Sequence, residues 1–331
     1  MTTEEISVKH DISPATLTFR AKKAGIPLRG RGRVRRDYPT PRQLKIIKLA
    51  GKYTYCKVGA KFGMDKQSIY RLVKHWTDVL APKIVRGDCL KVMRRIPSGS
   101  VDMIFADIPF NVRKNYGKYK DHRRDYLEWC AEWITEGFRI LKPTGSFYLM
   151  TITRHLEWQM PIMAKHGVFV NLISWRNCTS AASPRWFRQE YQPIMLYGKT
   201  ADYKFHRYAQ KEMPRFKRWG KEKSPPKFQV KDRWDKIPRV NAGSTPHREA
   251  ILVPGTNRKA HPTQMPLGLA IRAMLFSTDV GDTVLDPFNG SGTTGEAAKR
   301  LCRRYIGIEQ DPDYVRLTVK RLAKVLFAED F

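Results

Sequence analysis

The sequence predicts an α/β protein. A mostly parallel sheet with helices on both faces is expected over residues 83–331, after an N-terminal all-α helix-turn-helix region over residues 1–80. Three observations predict it. From residue 83 onward, short apolar β-branched runs alternate with amphipathic helical stretches, the order that builds a parallel sheet. Two of those runs end in acids followed by turn residues, as strands do at a ligand-binding sheet edge. The first 80 residues lack this alternation and are strongly basic: 18 Lys and Arg against 6 Asp and Glu, net +12.

Within the N-terminal region, Lys57–Arg71 (KVGAKFGMDKQSIYR) has helix-turn-helix spacing. Gly59 permits close helix packing, Gly63 supplies a turn of positive φ, Asp65 caps the second helix and Ile69 anchors it. Lys66, Gln67, Ser68 and Arg71 are then expected on the side that faces a DNA groove. A fainter copy is expected at Glu5–Arg20, with Ser7, Asp11 and Leu17 at the matching positions. Arg29–Arg36 (RGRGRVRR) reads either as a minor-groove arm or as a solvated basic linker. Pro82 marks the boundary.

The α/β part then reads in order: a strand in KIVRGD, a strand in VDMIFAD, a helix in YLEWCAEWITEGFRIL and a strand in GSFYLMT. Between about 200 and 255 the pattern breaks into a stretch rich in Lys, Arg, Trp, Tyr and Pro. Residues 201–260 carry 16 basic and 6 acidic side chains. Regular structure resumes with a helix at Pro266–Ser277, a strand in VGDTVLD, a helix in GTTGEAAKRL, a strand in YIGIEQD and a helix in DYVRLTVKRLAKVL.

The whole chain of 331 residues has 62 Lys and Arg against 31 Asp and Glu, a formal charge of +31. Such an excess points to an anionic partner, nucleic acid before an acidic membrane. At 41% hydrophobic the chain can bury a core, which excludes a disordered basic tail. No apolar run approaches the ~18–20 residues of a spanning helix, and the N-terminus lacks a signal peptide's apolar stretch. A soluble cytoplasmic protein that binds no membrane is expected. Cys56, Cys89, Cys130, Cys178 and Cys302 form no CxxC pair, so neither a zinc ribbon nor a disulfide framework is supported. The histidines lack ligand-spaced partners, and no metal is expected. Trp129 and Trp133 read as core.

Chemistry concentrates in two places. Thr283–Ala298 (TVLDPFNGSGTTGEAA) is a strand ending in Asp286, a turn through Phe288, Asn289, Gly290, Ser291 and Gly292, and a helix opening at Thr293. This is the layout of a Rossmann-like cofactor turn. It lacks the P-loop GK[ST], so a carboxylate ligand suits it better than a pyrophosphate. Glu309, at the end of the next strand, can accept bonds from both ribose hydroxyls. An amino-acid carboxylate together with a ribose describes S-adenosyl-L-methionine. The second place is Val101–Asn111, a strand ending in Asp107, Ile108, Pro109 and Phe110. Asp107 and the Ile108 carbonyl can accept the two N–H bonds of an exocyclic amine, and Phe110 can stack on a flipped base.

With these motifs the chain resembles the β class of DNA amino-methyltransferases, over about residues 83–325. DIPF at 107–110 matches the family's DPPY-type tetrad and FNGSG at 288–292 its FxGxG-type turn. GDCL at 87–90 brings Asp88, matching an acid that contacts the cofactor's adenine or ribose end. HPTQMP at 261–266 brings His261 and Thr263 to the methionine end. The resemblance implies a Rossmann-like methyltransferase fold and S-adenosyl-L-methionine as cofactor. It also implies a target-recognition insertion at about 200–255, where Arg215, Lys217 and Arg218 are expected on DNA beside interleaved aromatics (Tyr203, Phe205, Tyr208, Phe216, Trp219, Phe228, Trp234). A bacterial or phage-encoded, nucleoid-associated enzyme of the restriction-modification kind follows, methylating adenine N6 in double-stranded DNA by direct transfer. Homodimerisation stays open.

Two positions depart from the pattern: Ile108 replaces the tetrad's first proline, and Met265 replaces the HPTQKP lysine. Ile108 keeps the carbonyl and is biased toward extended backbone by Pro109, with less rigidity. Cytosine-C5 chemistry is disfavoured, because it needs a cysteine that in that family follows a proline, and none here does. The rival readings are N4-cytosine methylation, an RNA methyltransferase, and a DNA-binding regulator with a degenerate catalytic domain.

Overall fold

The computed structural model describes residues 38–116, 119–176, 189–206, 231–235 and 249–325, with residues 185, 187, 237 and 240. The expected copy at Glu5–Arg20 and the basic run at Arg29–Arg36 lie outside the described residues.

Among the described residues, three helices come first. Helix α1 (Pro41–Ala50) begins with a capping box: Thr40 accepts from the Gln43 N–H, and the Gln43 side chain accepts from the Thr40 N–H. Helix α2 (Tyr55–Phe62) ends at Gly63, whose φ of 64° lies in the left-handed region. Gly59 is needed for packing, since a Cβ there would come within 2.3 Å of the Met64 carbonyl oxygen. Asp65 then caps helix α3 (Lys66–Val79) through the Ser68 N–H, and Ile69 is fully buried with Ile46 and Val58. The local geometry expected of Gly59, Gly63, Asp65 and Ile69 is therefore present. Tyr38–Phe331 group into one compact unit. The three helices join the α/β body through an apolar cluster of Ile47, Trp76, Leu80 and Cys302, flanked by Val280.

The body is built on strands β1 (Lys83–Arg86), β2 (Val101–Asp107), β5 (Leu141–Met150), β6 (Val168–Arg176), β7 (Tyr191–Gly198), β8 (Arg233–Trp234), β9 (Thr283–Asp286) and β10 (Arg304–Glu309). A separate ribbon pairs β3 (Asn115–Tyr116) with β4 (Tyr119–Lys120). Helices α4 (Cys89–Met93), α5 (Tyr126–Ile140), α6 (Leu156–Ala164), α7 (Leu267–Ser277) and α8 (Thr293–Arg300) lie between strands, and α9 (Pro312–Ala323) follows β10.

The sheet order is β1-β10-β9-β2-β5-β7-β6-β8. Pairing is parallel from β1 through β5, then antiparallel for β5–β7 and β7–β6. The late strand β9 thus lies beside the early strand β2, which brings the two acid-ended motifs together at a switch in strand order. One face of the sheet packs under α7 around Phe105, Tyr148, Leu269 and Met274, the other under α5 around Trp133, Phe138 and Phe147. Gly137 lets α5 approach, since a Cβ there would meet the Phe147 ring at 2.6 Å. Cys89, Cys130 and Cys302 are buried and Cys56 is exposed. Among the described residues no helix is long and apolar enough to cross a membrane.

Candidate functional site

Because β1, β10, β9 and β2 run parallel, their carboxyl ends open on one edge. Asp107 ends β2, Asp286 ends β9 and Glu309 ends β10. Asp88 follows β1, whose Arg86 is in register with Glu309. All four acids line one cavity of about 550 Å³, a size that suits a small organic ligand. Burial in a poorly solvated place raises a carboxyl's pKa, as Asp107, Asp286 and Glu309 show. Burial, then the charge of Asp286, pushes Asp107 up to about 8, and Lys114 opposes the rise. Burial pushes Asp286 up to about 7, against a hydrogen bond from the Phe288 N–H. Burial also raises Glu309, against the Asp311 and Gly290 N–H groups.

The glycine turn is shaped by positive φ, 51° at Gly290 and 76° at Gly292. The Gly290 N–H donates to Glu309 Oε2 at 2.8 Å, and the Asp311 N–H donates to Oε1 at 2.9 Å. Each carboxylate oxygen has more than one acceptor direction, so these bonds leave capacity for ribose hydroxyls. A Cβ on Gly290 would lie 3.1 Å from His261 Nε2, and one on Gly292 2.6 Å from Thr318 Cγ2. The Asn289 amide is committed inward, accepting from Tyr305 and donating to Thr318. Arg321 reaches from α9 to the Ser291 carbonyl, Thr293 Oγ1 and Glu296, tying the turn to the helix behind it. Asp88 caps α4 through the Lys91 N–H, while the Gly87 N–H donates to the Glu309 carbonyl, which sets Asp88 beside Glu309.

His261 is buried, and desolvation lowers its pKa to about 4, so the imidazole is neutral. Its Nδ1 accepts from the Thr263 N–H, and its ring packs edge-on against Tyr314. Met265 is buried and lines the cavity. Positive charge in the cavity wall comes from Lys114, Arg123 and Lys259.

The tetrad is held from behind. Pro109 presents its carbonyl to the Tyr126 hydroxyl at 2.5 Å, Ile108 is buried in the core, and Phe110 lines the cavity. Asn111 follows at φ 54°. The buried Asp121 accepts the Asn111 and Val112 N–H groups, and Asn111 and Arg123 exchange two further bonds. Phe288 packs edge-on against the buried pair Trp129 and Trp133, which fits their core reading. Sequence reasoning did not identify Tyr126, Asp121, Lys114, Lys259 or Arg321. None lies in a recognisable motif, and only the fold brings them to the cavity or to the backbone that frames it.

Elsewhere, Lys66, Gln67 and Arg71 are exposed on α3 and lie outside the cavity. Ser68 is half-buried, and its hydroxyl donates to Asp65 at the helix cap. Arg215, Lys217 and Arg218 fall outside the described residues, as do Tyr208, Phe216, Trp219 and Phe228. Trp234, expected among the DNA-facing aromatics, is instead buried, with the Arg272 guanidinium 4.9 Å from its ring centroid. Phe205 packs on Phe276, and Tyr203 closes over Gly198. Trp234 packs into the body because β8 pairs with β6 and draws that end of the insertion into the sheet, whereas Phe205, at the other end, stays partly exposed. Among the described residues no three His, Cys, Asp or Glu are grouped as metal ligands.

The chain matches the DNA methylase family of N6 and N4 methyltransferases over residues 101–320. It is 33% identical over 255 residues to the DNA adenine methyltransferase YhdJ of Escherichia coli (strain K12), covering 73% of this chain and 83% of that one. The Thermus thermophilus protein TTHA0409, solved in complex with S-adenosyl-L-methionine, is 26% identical with a TM-score of 0.53, covering 74% of this chain and 95% of that one. The cytosine-N4-specific PvuII DNA methyltransferase shares the fold at 20% identity and a TM-score of 0.54, covering 72% and 85%.

Proposed function

This chain belongs to the DNA methylase family of N6 and N4 amino-methyltransferases, and from that premise we propose that it methylates the N6 amine of adenine in duplex DNA. Its cofactor is S-adenosyl-L-methionine, which supplies an electrophilic methyl group on a sulfonium when bound. The cavity fits that group. The bare backbone at Gly290 leaves room where a side chain would meet His261, and Glu309 and Asp88 stand at the strand ends where a ribose and adenine would bind. On this reading His261, Thr263, Asp286, Phe288, Asn289, Gly290, Ser291, Gly292 and Thr293 hold the methionine end, with Asn289 and Gly292 shaping the turn.

The observation that carries the proposal is the adjacency of Asp107 and Asp286 on neighbouring strand ends in one cavity. Asp107 accepts one N–H of the target amine, and the Ile108 carbonyl accepts the other. Together they hold the nitrogen's lone pair toward the methyl donor. Phe110 stacks on the base. No side chain forms a covalent bond to the substrate. Adenine is favoured because the tetrad begins with Asp and because the YhdJ relative is named an adenine enzyme. The helices α2 and α3 add a DNA contact through Lys66, Gln67 and Arg71. The bacterial source of the named relatives supports a cytoplasmic enzyme of bacterial or phage origin.

The test is modified-base sequencing of the genome of a methylation-free bacterial host that expresses the protein, beside an Asp107→Ala control. One N6-methyladenine motif absent from the control supports the reading. N4-methylcytosine replaces the base assignment. No modification by protein that binds DNA favours a degenerate regulator.

A further inference from the structure

The parallel strands give the sheet two ends of opposite chemistry. At the carboxyl ends lie Asp88, Asp107, Asp286 and Glu309 around the cavity. At the amino ends, the loops before β9 and β10 meet the helical segment. Val280 and Cys302 pack on Trp76 and Leu80, the Gly281 N–H donates to the Cys302 carbonyl, and a Cβ on Gly281 would strike Tyr38. The level of this junction in the sheet is fixed, because the Thr283 N–H donates to Asp102 at the start of β2. Asp107 is five residues further along the same strand, about 17 Å away at ~3.3 Å per residue.

The exposed surface of the helical segment is basic. Residues 38–80 contain nine Lys and Arg against two acids. Of the two, Asp65 is used as the cap of α3, and Asp78 pairs with Lys74. Lys66, Gln67, Tyr70, Arg71 and Lys74 fall at helical spacing along the exposed side of α3, opposite the buried Ile69 and Trp76. A polar and basic helix of 14 residues suits the major groove of B-form DNA. A-form RNA is a poor fit because its deep, narrow groove excludes a helix. A membrane surface is a poor fit because Tyr70 is the only large hydrophobic on that side of α3.

We infer that the exposed face of α3 grips duplex DNA away from the target base, so that it tethers the enzyme rather than reading the methylated motif. The inference rests on the proposed action on duplex DNA and adds where that DNA is held. Seventeen ångströms along the sheet correspond to about five base pairs at ~3.4 Å each. With the duplex axis along the strands, a duplex whose flipped base occupies the cavity meets α3 about five base pairs or more from that base, or a second duplex does. The face contributes phosphate neutralisation, and hence affinity and salt dependence, with little say in which base is chosen.

The experiment uses the full chain with a photo-crosslinking amino acid in place of Gln67. The probe is a 40-base-pair duplex with one methylatable motif at its centre, alone or with a second labelled duplex lacking the motif. Crosslinks five or more base pairs from the methylated base, or to the second duplex, are expected. Crosslinks within the motif, or none on a duplex that the same protein methylates, overturn the inference. A second variant, Lys66→Glu with Arg71→Glu, alters exposed side chains only. It should bind the motif-free duplex at least tenfold more weakly, with a salt slope smaller by about 2. Binding and slope equal to the parent's also overturn the inference. If the parent methylates no DNA while this variant still loses affinity, the proposed function fails and the α3 surface stands.

Discussion

The two ends of the sheet handle charge in opposite ways. At the carboxyl ends, burial raises Asp107 to about 8 and Asp286 to about 7. Close spacing of acids makes their ionisation responsive to whatever enters. The end of α3 packs at the amino ends through Trp76 and Leu80, and Lys66 and Arg71 stand in solvent further up that helix. Their attraction is long in range but weakened by salt. The difference teaches that one sheet can separate chemistry, which needs few and buried charges, from anchoring, which needs many and exposed ones.

The change that breaks the comparison most is Asp107→Ala. Removing a positioned acceptor should lower kcat by about 10²–10³-fold in single-turnover assays, while binding to a motif-free duplex persists. If that binding fell in step, the two ends would not be separate. Next in size is the response to pH. Asp107 acts as an ionised acceptor, and its pKa in the free protein is raised, so kcat/KM should climb about tenfold per unit at acidic pH and level off above about 8. Asp286 titrates beside it, so two apparent values belong to the pair. The linkage sign is fixed by the raised value. Between ~4, where the unfolded carboxyl titrates, and about 8, the folded chain holds the extra proton, so stability falls as pH rises through that window. Melting curves should show a Tm lower at pH 8.5 than at pH 5.5, and Asp107→Asn should flatten that difference.

Gly292→Val comes third. A side chain at φ 76° is strained by ~1–2 kcal/mol and would also press on Thr318. Calorimetric titration should show binding of S-adenosyl-L-methionine weakened at least tenfold. Tyr126→Phe is smaller. It removes one hydrogen bond to the Pro109 carbonyl, about 1 kcal/mol or roughly fivefold in kcat. Its ring contacts with Trp129 and Trp158 remain, and so should cofactor affinity. Loss of both kcat and cofactor binding would mean that Tyr126 supports the fold rather than the tetrad's position.

These residues also mark how far the sequence could be read. The acid-ended strands, the glycine turn and the cap at Asp65 were legible because each is written in adjacent residues with a local physical cause. Tyr126 and Arg321 were not, because each acts across the fold on backbone more than a dozen positions away. Trp234 misled for the same reason. Amid Lys and Arg it reads as a DNA-facing aromatic, and only the pairing of β8 with β6 shows it buried. Asn289 was legible as a turn residue, but the inward commitment of its amide depends on Tyr305 and Thr318.

The smallest expected effect concerns Ile108. Sequence reasoning treats it as a lost proline and predicts a looser tetrad. The structure gives that side chain another role, since it is 2% exposed within the core cluster that holds Leu90, Cys130 and Met163. Packing therefore supplies restraint that ring closure would otherwise give, and Pro109 still biases the backbone. Ile108→Pro should then leave kcat within about twofold, since the carbonyl is retained. It should also cost ~1 kcal/mol of packing, which lowers Tm by about 2–4 °C. A rise in both kcat and Tm would show that the rigid ring matters more than the buried contacts. Loss of Tm with kcat held would place Ile108 among the residues that carry the site by filling space behind it.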